Sequence, residues 1–265
     1  MTNPRFARLS AVAAAVGLGI LALAAAPGAR ATALDDGVAS YTARAVAQID
    51  RARDGAVRLQ QRVAAHDLAG ARAAWLESHV DWERSETFTG ELYGDLDEAI
   101  DPWPDAKSGY HLIEARLFAG DPSGIEPAVA ALAANLTEFS KQIRQKGLTA
   151  QGLLNGTAKL TFEIGENKAA GGESAASGTS LADMRNNVQG IDDVFTIVFE
   201  PLLKTKNPEL AANARRELSV IETAINVPDL KSVDQPTLTK ASERLALALK
   251  ASATDLGLEA PSLED

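Results

Sequence analysis

The chain is predicted to be all-α, and three observations carry that prediction. Apolar residues recur at helical spacing along nearly the whole length, no run of alternating β-branched residues stands out, and cap signals separate the periodic segments. Eight helices follow. The first covers about 36–65, where Val38, Tyr41, Val46, Ile49, Val57, Leu59 and Val63 form an apolar stripe on an Ala-rich background. Asp67 is the expected N-cap of a second helix running to about residue 88. Residues 89–105, rich in Gly, Asp and Pro, read as a long irregular connection to a short third helix over 106–118. Gly120-Asp121-Pro122-Ser123 starts a fourth helix that stops at Gly147, and Thr149 opens a fifth that fades near Ala170. The Gly- and Ser-rich stretch 171–179 reads as a flexible loop, after which Ser180 caps a sixth helix reaching about Lys204. Asn207-Pro208 begins a seventh, and 227–236 separates it from an eighth over about 237–256. Four helices before Gly147 and four after it predict two packed antiparallel four-helix bundles, about 34–147 and 148–265. The tail 257–265, with Pro261 and three acids, is expected to fray.

Residues 1–33 read as a secretory leader. Arg5 and Arg8 supply the basic start, 11–26 the apolar run, and Ala31-Thr32-Ala33 the small-residue cleavage site, so the mature protein is expected from Leu34. The sequence has no Cys, which removes disulfides, soft thiolate metal sites and a lipid-modified Cys anchor together. A periplasmic or secreted, freely soluble protein with no stable membrane anchor is the expectation. Loss of Arg5, Arg8 and Arg30 lowers the 26 basic residues to 23 against 36 acids, a formal charge of −13. Such a chain repels phosphate backbones, so nucleic acid is excluded as a partner. It suits a collector of cations.

The candidate chemistry lies between residues 79 and 114. His111 and Glu114 stand three apart in Gly109-Tyr110-His111-Leu112-Ile113-Glu114, a spacing that puts both side chains on one helix face. Glu83 and Glu86 repeat the spacing upstream, with His79 four residues before Glu83 as either a further ligand or a supporting donor. Asp101, stiffened by Pro102 and Pro104, is a third-rank candidate and Asp97 a weaker one. Facing helices that bring such pairs together make an oxygen-rich metal pocket, with Fe, Mn, Zn and Cu all chemically admissible. Each pair also has a plain reading, as a buried His–Glu contact or a solvated helix face. Trp75, Trp82, Trp103, Phe88, Tyr93 and Tyr110 surround the region as core and as walls for a site. His66, at the end of the first helix, has no assigned role. Hydrolytic signatures are missing: there is no HExxH, no Gly-x-Ser-x-Gly and no Cys nucleophile.

Taken in order, Trp82-Glu83-Arg84-Ser85-Glu86, Gly94-Asp95-Leu96-Asp97-Glu98-Ala99-Ile100-Asp101 and Gly109-Tyr110-His111-Leu112-Ile113-Glu114 resemble the imelysin-like family, in particular its periplasmic iron-uptake proteins of the EfeO and EfeM type. Gly165-Glu166-Asn167-Lys168 and the Asn187-Val188-Gln189-Gly190 core of 181–190 resemble that family's Lys-containing loop and Asn-Val-x-Gly helix. The resemblance covers 34–265 and implies a pair of four-helix bundles in the short form without a cupredoxin domain. It implies a metal held by Glu83, Glu86, Asp101 and His111 with Glu114 close by, and iron (Fe3+ or Fe2+) as cargo, zinc or copper being the other metals in play. It further implies delivery to an inner-membrane iron permease and a haem peroxidase-like partner in the same uptake system. Two other activities attach to the family: a metal-dependent peptidase, and a cation-mediated alginate-binding protein. The expectation is a carrier and not an enzyme, with the peptidase as the competing reading.

Overall fold

In the computed structural model the described residues are 27–103 and 107–263. They are helical nearly throughout, and no strand occurs among them. The helices in chain order are α1 (Pro27–Ala64), α2 (Leu68–Glu83), α3 (Thr89–Ile100), α4 (Gly109–Ala119), α5 (Glu126–Lys146), α6 (Ala150–Glu166), α7 (Ser180–Val194), α8 (Glu200–Lys206), α9 (Pro208–Ile225) and α10 (Gln235–Leu256). Caps act where the residue types call for them. Asp67, Thr149 and Asn207 accept the amides of Gly70, Gly152 and Leu210 with their side-chain oxygens, and Gly120, Gly147 and Gly257 end α4, α5 and α10 at positive φ.

Four expectations need correction. Residues 89–100 are a helix, α3, kinked at Tyr93 (φ −142°, ψ 34°) and hydrogen-bonded by the Tyr93 hydroxyl to the Gly147 carbonyl at 2.8 Å. Its Gly and Asp content hid an amphipathic stripe in which Leu92, Tyr93, Leu96 and Ile100 meet the core. The second helix stops at Glu83, so Glu86 sits on a turn over 84–88 and not on the helix face that carries Glu83. The sixth helical run continues to Lys206 but widens into a π-turn at Phe195–Phe199, just ahead of Pro201, which has no amide hydrogen to offer the carbonyl one turn back. The C-terminal segment is packed. Leu258 and Leu263 lie against the core, and Glu259 exchanges two hydrogen bonds with Gln151 at 2.8 and 3.0 Å. Most of the leader, together with Pro104, Asp105, Ala106 and the last two residues, lies outside the described residues.

α1 runs along both α2 and α5, and α10 along both α6 and α9, while α4 packs between α2 and α5 and α7 between α6 and α9. The two sets meet where α1 runs along the Phe195–Phe199 turn, where α2 touches α7 and where α3 touches α6. Trp82, Phe88, Tyr93 and Phe139 form a chain of ring contacts beneath the α2–α3 turn, with centroids 4.8 to 6.2 Å apart. A fully buried ring of this kind contributes roughly 2–3 kcal/mol over an exposed one. That cluster anchors the turn carrying Glu86 and the end of α2 carrying Glu83.

Candidate metal centre

At the contact of α2, α4 and α7 the core turns polar. His79, Glu83, His111 and Asp183 are at most 4% exposed at the side chain, as is Asp101 at the end of α3. His79 Nε2 stands 2.9 Å from Glu83 Oε1 and 3.7 Å from Asp101 Oδ2, and His111 Nε2 stands 3.2 Å from Asp101 Oδ1. None of these approaches has hydrogen-bond alignment for His79 Nε2, Glu83 Oε1, Asp101 Oδ1 or His111 Nε2, all of which are buried without a partner. Buried polar atoms ordinarily find partners, because each orphan costs on the order of 1–3 kcal/mol. Four orphans from three neighbouring elements point to metal ligands. His79, Asp101 and His111 form one group whose ligand atoms all lie within 4.8 Å, His79, Glu83 and Asp183 form a second, and Glu83, Glu86 and Asp101 a third.

Of the five residues predicted from the sequence, Glu83, Glu86, Asp101 and His111 come together here. Glu114 is directed elsewhere: it meets His111 Nδ1 at 3.2 Å and accepts from the Ser177 amide at 2.7 Å and its hydroxyl at 2.8 Å. It therefore grips the back of the imidazole and fixes which ring nitrogen faces Asp101. Asp183 stands behind His79 more loosely, 3.5 Å from an Nδ1 that has no hydrogen-bond partner, and takes a hydrogen bond from the Thr179 hydroxyl at 3.0 Å. The Ser177 and Thr179 hydroxyls lie 2.8 Å apart, each able to give its single hydrogen to the carboxylate behind one of the histidines, so the two carboxylates are held by neighbouring residues of one segment. Carboxylate–histidine pairs of this kind orient the ring and raise its basicity toward a metal. The stretch 171–179, expected to be flexible, is folded over the site by these bonds. Glu114→Gln is expected to weaken Zn2+ binding roughly 10–100-fold, read by calorimetric titration, with little loss of stability. The amide would keep its oxygen on Ser177, turn its NH2 to His111 Nδ1 and move the ring proton to Nε2, where a metal must bind.

The second half of the chain supplies residues that spacing arguments do not reach. Asn187 Nδ2 reaches Glu83 Oε2 at 2.8 Å and Glu86 Oε2 at 2.7 Å, and Lys168 Nζ lies 2.8 Å from both Glu86 Oε2 and Glu173 Oε2. One helical turn from Asn187, Gly190 packs so closely on the 84–88 turn that a Cβ there would stand 2.4 Å from the Arg84 carbonyl oxygen. The Asn and Gly of the Asn-Val-x-Gly string are thus complementary, since the Asn clasps the acids and the Gly lets α7 approach them. Asp183 and Glu173 lie well over fifty residues from the His and Glu pairs with no periodic relation to them. Lys168, Asp183 and Asn187 lie in the strings that carry the family resemblance, and Glu173 has no signal in the sequence. Trp103, 48% exposed, closes the outer side with its ring 5.3 Å from that of His111, and Trp75 stacks on His79 at 4.5 Å.

The electrostatics follow from burial set against charge. Burial works against a charge on His79, yet Glu83, Asp183 and Asp101 outweigh it and hold the ring well above the usual imidazole range. His111 is likewise raised against its burial, by Asp101 and Glu114. The histidines in turn hold Asp101 and Asp183 below the usual carboxylate range despite burial. Burial, with Glu83 beside it, pushes Glu86 well up, and burial raises Glu83 against the pull of Lys168 and His79. Asp97, nearer the surface, is pushed up to about 6, chiefly by burial and then by Asp101. Two nitrogens and several carboxylate oxygens, without sulfur, match Fe, Mn or Zn chemistry.

Comparison with known proteins agrees with this architecture. A crystal structure described as an iron-regulated protein A precursor from Parabacteroides distasonis ATCC 8503 shares the fold with a TM-score of 0.65 at 15% identity, over 85% of this chain and 95% of that one. An Efem/EfeO family lipoprotein of Staphylococcus aureus strain NCTC 8325 is 29% identical over 198 residues, which span 67% of this chain and 68% of the relative. Its counterpart in strain MSSA476 is 28% identical over the same length. The imelysin family model matches residues 37–109 and 105–256, a span that takes in every residue of the centre, and the chain belongs to the imelysin family.

Proposed function

We propose that this protein is an extracytoplasmic metal carrier whose cargo is iron and whose recipient is an inner-membrane iron permease. The observation that carries the reading is that four buried atoms without hydrogen-bond partners, His79 Nε2, Glu83 Oε1, Asp101 Oδ1 and His111 Nε2, belong to residues of overlapping groups of possible metal ligands, each group within 4.8 Å. A cation held by one of these groups would give its ligands the partners they lack. Iron is favoured over zinc and copper by the excess of hard carboxylate oxygen around the two imidazoles and by the likeness to EfeM/EfeO-type relatives. Those relatives are named lipoproteins, which supports a place outside the cytoplasm; this chain has no Cys to lipidate, and no described helix is long and apolar enough to cross a membrane.

Carriage fits better than hydrolysis. A metallopeptidase needs a placed general base beside an open coordination position. Here Glu114 is committed to His111 and Ser177, and Glu86 to Lys168 and Asn187. The test replaces both His111 and Glu83 by Ala. Calorimetric metal binding is expected to vanish while the far-UV helix signal persists, and an unchanged affinity would remove the assignment. Elemental analysis of the protein as isolated, followed by competition among iron, zinc and copper, decides the cargo.

A further inference from the structure

The side chains of the centre are closed off from solvent, His79, Glu83, Asp101, His111 and Asp183 being at most 4% exposed. An ion can reach them only if something covering them moves. α2, α4 and α7 present their side chains from helices packed into the core, whereas 171–179, between the helical turn Lys168–Ala170 and α7, contains no α-helix and no apolar side chain larger than Ala. What holds this stretch down is polar. Ser177 gives its amide and hydroxyl to Glu114 Oε1 at 2.7 and 2.8 Å, Ser180 gives its hydroxyl to the Glu173 carbonyl, and Lys168 holds the Glu173 carboxylate at 2.8 Å. Gly172 lies against Trp103, where an added Cβ would stand 3.1 Å from Cζ2. Glu173 Oε1 is 4.0 Å from His111 Nε2 and the Trp103 ring 5.3 Å from the His111 ring, so the stretch and the outer wall meet beside that imidazole. Glycines at positive φ bound it: Gly171 (φ +69°), set tightly against Leu230, and Gly178 (φ +76°). Ser174 is the one buried residue between them, and it is held at φ +50°, a backbone region unfavourable to any residue with a Cβ. Few buried apolar contacts and a strained turn put a segment at the low end of local stability.

We propose that 172–177 is the gate of the centre: it swings as one piece on Gly171 and Gly178, lets go of Glu114 and Trp103, and passes the cargo ion between itself and Trp103 to His111. This rests on the metal-binding reading above and adds to it a route and a moving part. Uptake and release then share one opening step. A change that weakens only the closed conformation therefore speeds both by one factor and leaves affinity unaltered.

Gly178→Ala is such a change, since an added Cβ at φ +76° meets nothing within 4 Å and brings only the left-handed backbone penalty, which the open segment escapes. On the full chain, stopped-flow tryptophan fluorescence reads Zn2+ uptake and a chromogenic chelator in excess reads its release. Both rates are expected to rise on the order of fivefold at constant calorimetric Kd. Trp103→Ala, which removes the opposite wall, should also speed release, whereas Gly124→Ala, at φ +74° in the α4–α5 connection, should match wild type. In the metal-free protein the amides of Ser177, Gly178 and Thr179, bonded to Glu114 and to the Ser174 carbonyl, should exchange with solvent faster than those within α7, and faster again in Gly178→Ala. Unchanged rates in Gly178→Ala, a Kd that shifts as much as either rate, or segment amides that exchange as slowly as the middle of α7 overturn the gate and leave the metal-binding reading standing. A wild-type chain that takes up neither Zn2+, Mn2+ nor iron brings down that reading, and the gate with it.

Discussion

Gly109→Ala is expected to lower the melting temperature by roughly 10 °C and to abolish metal binding, although the substitution adds one methyl group and touches no ligand. Gly109 begins α4 at φ +60°, and a Cβ there would stand 1.8 Å from the Ile100 carbonyl oxygen and 3.2 Å from the Asp101 amide nitrogen. Ala at positive φ costs about 1 kcal/mol or more. The overlap with backbone is the larger part, since neither the end of α3 nor the start of α4 can yield without moving its neighbours; a total of about 3–5 kcal/mol is the scale of such core clashes. For a domain of this size each kcal/mol is worth about 2–4 °C. Relief of the clash pushes apart Asp101 and His111, the two residues whose 3.2 Å approach depends on this crossing. Gly124→Ala is the control, having φ +74° with nothing within 4 Å of the added carbon. It carries the backbone cost alone, so an equal loss in thermal scans of both variants would refute the clash.

The same crossing explains why the site is only partly legible in the sequence. Periodicity and caps locate α2, α4 and α5 because Asp67, Gly120 and Gly147 act locally, through bonds to residues three or four positions away. Glu83, Glu86, Asp101 and His111 can be named because their spacing, the Pro-flanked approach and the family strings all lie within about thirty residues. What cannot be read is direction. Glu114 shares a helix face with His111, yet Ser177, sixty-three residues on, pulls its carboxylate away from the cluster. His79 stays open between ligand and donor in the sequence because ring orientation is set by Trp75 stacking on one face and Asp183 at Nδ1, the second of these a long-range contact. α3 escapes notice for a different reason: Gly90, Gly94 and the acids lower its intrinsic helix propensity, and burial of Tyr93 and Ile100 overrides it.

Metal affinity is expected to rise steeply with pH, by up to about 100-fold per unit below pH ~6.5, because binding must expel the protons on His79 and His111. Both rings have pKa values raised above the ordinary imidazole value of 6.5 in the metal-free protein, so both are charged throughout that window. An imidazolium has no lone pair to give. The stability of the metal-free protein runs the other way. His79, His111, Glu83 and Glu86 all have folded-state values above their unfolded ones. For such groups the favourable contribution is complete below the unfolded pKa and is lost as pH climbs through the folded pKa. Asp101, Asp183 and Glu114, with lowered values, add stability above the unfolded carboxylate range and give it up only as pH falls through their folded values. Above the ordinary imidazole value of about 6.5 the raised groups alone change, so the metal-free protein should melt at progressively lower temperature while the metal-loaded protein gains on it through mass action. Paired thermal scans with and without Zn2+ across that range read the divergence, and calorimetry in buffers of different ionisation heat should count close to two protons released per ion at about pH 6. Parallel melting curves, or an affinity flat from about pH 5.5 to 6.5, would mean that the imidazole nitrogens of His79 and His111 never meet the metal.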